Sequence, residues 1–121
     1  MKLSTVLAAT IVGASVTFTA APSVAALSDC GTNKTCIWAD NDFKGSRQDR
    51  AHGEGTITNV NSALNNRMDS WANRSATYTS CGWDGTNGTA DDQTWGSTSN
   101  DNNVSPYSSD EVSSWRTKYG C

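Results

Sequence analysis

Apolar residues are spread unevenly along the 121-residue chain. Residues 1–26 open on Lys2, run apolar from Leu3 to Ala21 and close on Ser23-Val24-Ala25-Ala26. A basic start, an apolar middle and a small-residue cleavage site together predict a secretory leader. Beyond it the apolar positions thin out and alternate with polar ones. Thr56 to Val60 alternates as a half-buried strand, and Thr35 to Asp40 and Trp71 to Tyr78 read as further strands. Ala63 and Leu64 with Met68 permit one short helical turn at most. Nothing after residue 26 is apolar enough to span a bilayer.

The pattern also repeats. Trp38 and Phe43 with Gly45, and Tyr78 and Trp83 with Gly85, both read aromatic, four residues, aromatic, one residue, glycine, at an offset of 40. Asn65 to Trp71 then aligns with Ser109 to Trp115 at an offset of 44, the difference falling in the polar stretch from Thr86 to Asn103. Physically this is a folded hairpin used twice. The two aromatics flanking each turn pack on each other, and Gly45 supplies a backbone conformation that a side chain resists. Four strands per repeat and two repeats predict an all-β fold, a small sandwich of about 90 residues.

Composition changes the picture in two ways. The leader holds 16 of the 43 hydrophobic residues, so a chain starting near Leu27 keeps 27 in 95, of which eight are Ile, Leu, Val or Met. Ser, Thr, Asn, Asp and Gly make up 54 of those 95, which excludes a long helical bundle. Nine aromatics can supply the missing core area, at about 150–250 Å² each. Six of them, Trp38, Phe43, Trp71, Tyr78, Trp83 and Trp115, fall on repeat positions. The charge is the second change. Without Lys2 there are 8 basic against 12 acidic side chains, so neither nucleic acid nor a membrane is an expected partner, and the domain is expected to act as a monomer.

Aromatic-x4-aromatic-x-Gly, followed later by Asx-Asx-x-x-Ser/Thr-Ser, resembles the βγ-crystallin Greek-key motif, two of which make one domain. The resemblance covers nearly all of residues 36 to 116, with motif one at about 36–71, motif two at about 77–116, and the domain over 27–121. Cys30-x5-Cys36 directly before Trp38 is also similar to the secreted bacterial branch that includes the streptomycete metalloproteinase inhibitors.

That resemblance implies calcium sites. Asn65, Asn66 and Asp69 would serve in the first half and Ser109, Asp110 and Ser113 in the second, with backbone carbonyls from the paired hairpin. Oxygen donors of this kind suit Ca²⁺ rather than a transition metal. Asp69 stands where the family prefers Ser or Thr, and Ser109 where it prefers Asx. Ser70 and Ser114, at the sixth position, pin the folded hairpin in the family. The same segments also terminate loops without metal, because Asx and Ser side chains bond to nearby backbone.

Cys30, Cys36, Cys81 and Cys121 all follow the leader, and in an exported chain this suggests two disulfides rather than metal or redox chemistry. Three pairings are possible. Cys30 with Cys36 closes a short loop that the polar insert can span, leaving Cys81 with Cys121.

Arg50, His52 and Glu54 form the one group resembling acid/base machinery, since small secreted ribonucleases use Glu, Arg and His together. On an extended segment the three would share a face, yet Gly53 and Gly55 suggest a loop. One His and four disulfide-bound cysteines cannot build a zinc site, and no phosphate loop or nucleophile elbow is present. The stretch from Thr86 to Tyr107 is long and polar, and its Trp95 is either an exposed anchor or a strand residue folded onto the core. The latter is favoured.

By resemblance the chain is a secreted, non-enzymatic inhibitor of extracellular metalloproteases that presents a rigid loop. The competing expectations are a calcium-binding module without inhibitory activity and a killer-toxin-like antimicrobial, which would be more basic than this chain.

Overall fold

The computed structural model describes Gly13, residues 26–105 and residues 109–121. The leader expected over 1–26, apart from Gly13 and Ala26, lies outside the described residues, as does Tyr107.

The strands are β1 (Lys34–Asp40), β2 (Lys44–Ala51), β3 (Thr58–Asn59), β4 (Ser70–Asn73), β5 (Ser80–Trp83), β6 (Asp92–Trp95), β7 (Ser99–Asp101) and β8 (Ser114–Arg116). They form two four-stranded antiparallel sheets, ordered β2-β1-β4-β7 and β3-β8-β5-β6. The third strand of each half therefore leaves its own half. β3 pairs with β8, and β7 pairs with β4.

β1 is buried from Thr35 to Trp38, and the period-two alternation of a strand divides these residues between two clusters. Ile37 points into the sandwich with Val60, Leu64, Met68, Trp71, Trp95, Val104, Val112 and Trp115. Cys36 and Trp38 point the other way, beneath a cap of Cys30, Ala72, Leu27 and Phe43. Indoles fill the space that aliphatics would take elsewhere. Trp71 stacks on Trp95 with ring centroids 5.6 Å apart, and Trp95 meets Trp115 edge-on at 6.3 Å. Trp95 is thus a core residue of β6, fully buried. Gly82 makes room for it, since a Cβ there would stand 2.5 Å from Trp95 Cζ2.

Local chemistry ends the strands earlier than alternation predicts. β4 stops at Asn73, whereas Trp71 to Tyr78 read as one strand. Asn73 Oδ1 accepts the Ser75 amide at 3.0 Å, and Ser75 Oγ accepts the amides of Thr77 at 3.2 Å and Tyr78 at 2.9 Å. These bonds turn the backbone out of the ladder. Between β3 and β4 the chain makes a turn, with Asn61 accepting the Leu64 amide.

The two halves are related by a pseudo-twofold axis, but in a register that corrects the repeat as read from the sequence. Ser70 Oγ donates to Asp40 O at 2.7 Å and accepts the Phe43 amide at 3.1 Å. Ser114 Oγ donates to Gly85 O at 2.6 Å and accepts the Gly88 amide at 2.9 Å. Trp38 is opposite Ser70 in the ladder, and Trp83 is opposite Ser114. Trp83 therefore corresponds to Trp38, Gly88 to Phe43 and Ala90 to Gly45. The backbone agrees. Asp42, Phe43 and Gly45 have φ of 58°, 58° and 80°, and Asn87, Gly88 and Ala90 have 56°, 72° and 63°. Tyr78 is not the first aromatic of a second hairpin, and Gly85 is not its left-handed glycine. Gly85 is small because Thr89 lies against it.

The first hairpin packs as expected, with Trp38 and Phe43 edge-on at 5.1 Å. In the second, Ile57 takes the place of the missing ring. Its Cδ1 lies 2.7 Å from where a Cβ on Gly88 would stand, and Trp83 Cε2 lies 3.7 Å from the same point.

Candidate functional site

The six proposed calcium ligands lie in the two loops that the pseudo-twofold brings face to face. Asn66 donates its amide to Val112 O at 3.1 Å, and Asp110 donates its amide to Met68 O at 3.1 Å. Both residues adopt left-handed φ, 56° and 61°. The side chains are grouped across the halves and not within them, which corrects the motif-by-motif assignment. Ser109 Oγ donates to Asp69 Oδ1, and Ser113 Oγ donates to Asn66 Oδ1 at 2.8 Å.

One set therefore joins Asp69 to Ser109, with Asp110 next to Ser109 in the chain, and the other joins Ser113 to Asn66, with Asn65 next to Asn66 in the chain. The first carries two carboxylates and the second none. Asp69 retains a second carboxylate oxygen beyond the one Ser109 uses. That donor set is all oxygen and anionic, so it fits Ca²⁺. Among the described residues no group of three or more His, Cys, Asp or Glu converges as a metal centre.

A separate group of carboxylates lies at the second hairpin. Burial of Asp84, together with the charges of Glu111 and Asp91, holds its carboxyl above the usual aspartate range.

Arg50, His52 and Glu54 do not converge. The Arg50 side chain is nearly buried, and its Nε pairs with the Glu54 carboxylate. Its Nη1 donates to Trp115 O at 2.6 Å, its Nη2 donates to Thr56 O, and its guanidinium lies 5.9 Å from the Trp115 ring centre. The guanidinium thus holds the segment after β2 through Nε and Nη2 and ties β2 to β8 through Nη1. His52 turns elsewhere, with Nδ1 2.8 Å from Ser75 Oγ and its ring edge-on to Tyr78 at 5.2 Å. Ser75 Oγ also accepts the amides of Thr77 and Tyr78, so His52 is held on the turn that ends β4.

The disulfides are Cys30–Cys36 and Cys81–Cys121. The first closes an exposed loop, Thr32 to Lys34. Asn33 donates its amide to Arg74 O at 3.2 Å, Arg74 donates its amide to Lys34 O at 2.8 Å, and Arg74 Nη1 donates to Cys30 O at 2.6 Å. The second anchors the chain end to β5.

Sequence reading missed Tyr119 at this end. Among the described residues it is the exposed large hydrophobic side chain, at 69%. A lone tyrosine in Lys118-Tyr119-Gly120-Cys121 belongs to no periodic pattern. The available signal was its place between a lysine and the Gly-Cys that fixes the terminus.

This architecture is the βγ-crystallin fold. A βγ-crystallin from an archaeon matches with a TM-score of 0.59 at 16% identity, over 72% of this chain and 99% of that one. A βγ-crystallin from Ciona intestinalis matches with a TM-score of 0.55 at 18% identity, over 70% and 99%. The βγ-crystallin domain of the abundant perithecial protein of Neurospora crassa, in its Ca²⁺-bound form, matches with a TM-score of 0.56 at 24% identity, over 81% and 94%. No curated protein matches the chain. Residues 23–90 match peptidase inhibitor family I36, the family of the streptomycete metalloproteinase inhibitors, and the chain belongs to that family. It is a protease inhibitor built on a βγ-crystallin scaffold. Proteins of this family are generally secreted, and family and fold are non-enzymatic in general. No helix of the described residues is long and apolar enough to cross a membrane.

Proposed function

We propose that the chain is exported, loses its leader to begin at Leu27, and inhibits an extracellular metalloprotease as a monomer without chemistry of its own. The supporting observation is that two of its exposed segments are fixed by disulfides. The 32–34 loop lies inside one disulfide, and the C-terminal segment is held by the other. Segments fixed in this way lose little conformational freedom on docking. Titrating a thermolysin-type metalloprotease and a serine protease with the mature domain tests the target class. Stoichiometric inhibition of the metalloprotease is expected. Inhibition of the serine protease alone would reassign the target, and inhibition of neither would sink the reading.

Calcium is proposed as a stabiliser of the same domain, held at the set that joins Asp69, Ser109 and Asp110. The Neurospora relative is described in a Ca²⁺-bound form, and the carboxylates here supply the charge a weak extracellular-type site needs, with Kd of about 10⁻⁴ M. Bound cation would link the two loops and raise the unfolding midpoint. Ca²⁺ should raise the midpoint of the wild-type domain, a chelator should reverse the rise, and Asp69→Asn should blunt it. An unchanged midpoint at millimolar Ca²⁺ refutes the site. A calcium response with no inhibition of any protease would instead favour a calcium-binding module.

A further inference from the structure

The strap that runs from Arg116, the last residue of β8, to Cys121 is anchored at three points. Arg116 Nε donates to Gly120 O at 2.8 Å, Gly120 donates its amide to Thr79 O at 2.9 Å, and Cys121 is bonded to Cys81. At its crest Tyr119 has a φ of 73°, followed by Gly120 at 58°. Left-handed backbone is a strained place for a bulky side chain, and Gly or Asn would make the same turn without that strain. Strain of this kind persists only where the surrounding structure holds it in place, and it clusters at binding and active sites.

The ring is exposed yet held in place. It rests on Gly55, where a Cβ would stand 2.5 Å from Tyr119 Cε2. Lys118 Nζ lies 4.8 Å from the ring centre, and the Arg116 guanidinium carbon lies 5.8 Å from it. The surface continues on both sides. Lys118 Nζ also lies 5.6 Å from the Tyr78 ring, which meets His52, and Arg116 lies 5.3 Å from the Trp83 ring.

No acidic side chain occurs from Val112 to Cys121, in a chain whose net charge is −3. Of the carboxylates around this surface, Glu54 is paired with Arg50, and Asp92 stands opposite Trp83 in the β5–β6 ladder. An exposed, immobilised tyrosine flanked by cations matches the composition of binding hot spots, and its charge is complementary to an acidic surface.

We propose that this strap is the inhibitor's docking surface, with Tyr119 entering the target protease's cleft and Lys118 and Arg116 facing an acidic rim around it. The proposal rests on the inhibitor reading and names the surface that reading leaves open.

The test uses the full mature domain and a metalloprotease that the wild type inhibits. Tyr119→Asn is expected to raise Ki by about 30-fold or more, the loss typical of a hot-spot aromatic, while leaving the thermal midpoint equal or higher. Gly55→Ala, which displaces the ring without removing it, should weaken inhibition in the same direction. Lys118→Glu should slow association, more so at low salt. A Ki for Tyr119→Asn within about threefold of wild type, the range of near-neutral interface contacts, overturns the surface while inhibition itself stands. A fall in midpoint that accounts for the loss, with Lys118→Glu unaltered, makes the ring a packing element and also overturns it. Dimerisation in sedimentation that Tyr119→Asn abolishes would assign the surface to a second copy. If the wild type inhibits no protease, the inhibitor reading fails first.

Discussion

Ser70 and Ser114 make the same bracket on opposite sides of the pseudo-twofold, each hydroxyl donating to a hairpin carbonyl and accepting a hairpin amide three residues later. Both serines are fully buried, so water cannot replace either bond. Ser70→Ala and Ser114→Ala should each lose about 1–3 kcal/mol, read from urea unfolding. A loss below about 0.5 kcal/mol, the level of an ordinary surface change, would show that the hairpins hold their shape unaided.

Ala90 occupies the position that Gly45 holds in the first hairpin, and its φ is also left-handed. Ala90→Gly should therefore stabilise the domain by about 0.5–1 kcal/mol, the left-handed penalty exceeding the extra entropy glycine loses on folding. Gly45→Ala should do the reverse and by more, because its Cβ would stand 2.5 Å from Asp40 Oδ2. Opposite signs for the pair in one denaturation series would establish the corrected register; matching signs would reject it.

The two disulfides should differ in worth. Cys81–Cys121 spans a separation of 40 residues and Cys30–Cys36 a separation of 6. In the chain-entropy model these loops correspond to about 4 and about 2 kcal/mol. Replacing each pair by serines and comparing unfolding free energies gives the order, with the longer loop expected to cost more.

Asp84 gives the domain a pH dependence of definite sign. Burial first, then Glu111 and Asp91, raises its pKa in the folded state. The folded protein therefore binds this proton more tightly than the unfolded chain does. Asp84's contribution is most favourable below its unfolded pKa and declines as pH rises through the folded pKa. Asp84→Asn should raise the thermal midpoint at pH 7, and the gain should vanish by about pH 3, below the ordinary aspartate pKa. An equal gain at both pH values would indicate an effect of the amide and not of the charge.

The fold was legible because alternation and turn residues act locally. Thr35 to Asp40 stays a strand, Gly45 marks a real left-handed turn, and Trp95 packs in the core. The second hairpin was misread for a physical reason. Tyr78, Trp83 and Gly85 satisfy the ring spacing, whereas the true hinge holds Gly88 and Ala90, and the ring above Trp83 has been replaced by Ile57 from the other half. A pattern that rewards aromatics cannot see a contact supplied 31 residues away. The crossing of Asp69 to Ser109 was hidden likewise, because only tertiary packing sets one loop against its symmetry mate. Tyr119 carried no period at all, and its meaning lies in exposure and backbone strain.

β3 and β7 each sit in the sheet of the opposite half. Both disulfides stay within their own halves, so the only covalent tie between the halves is the peptide linker between β4 and β5. Hydrolysis at the exposed Ala76–Thr77 turn would consequently leave two fragments still threaded through each other, each lending a strand to its neighbour's sheet. For a molecule whose work is to sit against a protease, a nick there is not an exit. The severed ends remain beside one another, and the chain keeps its shape after the enzyme has cut it.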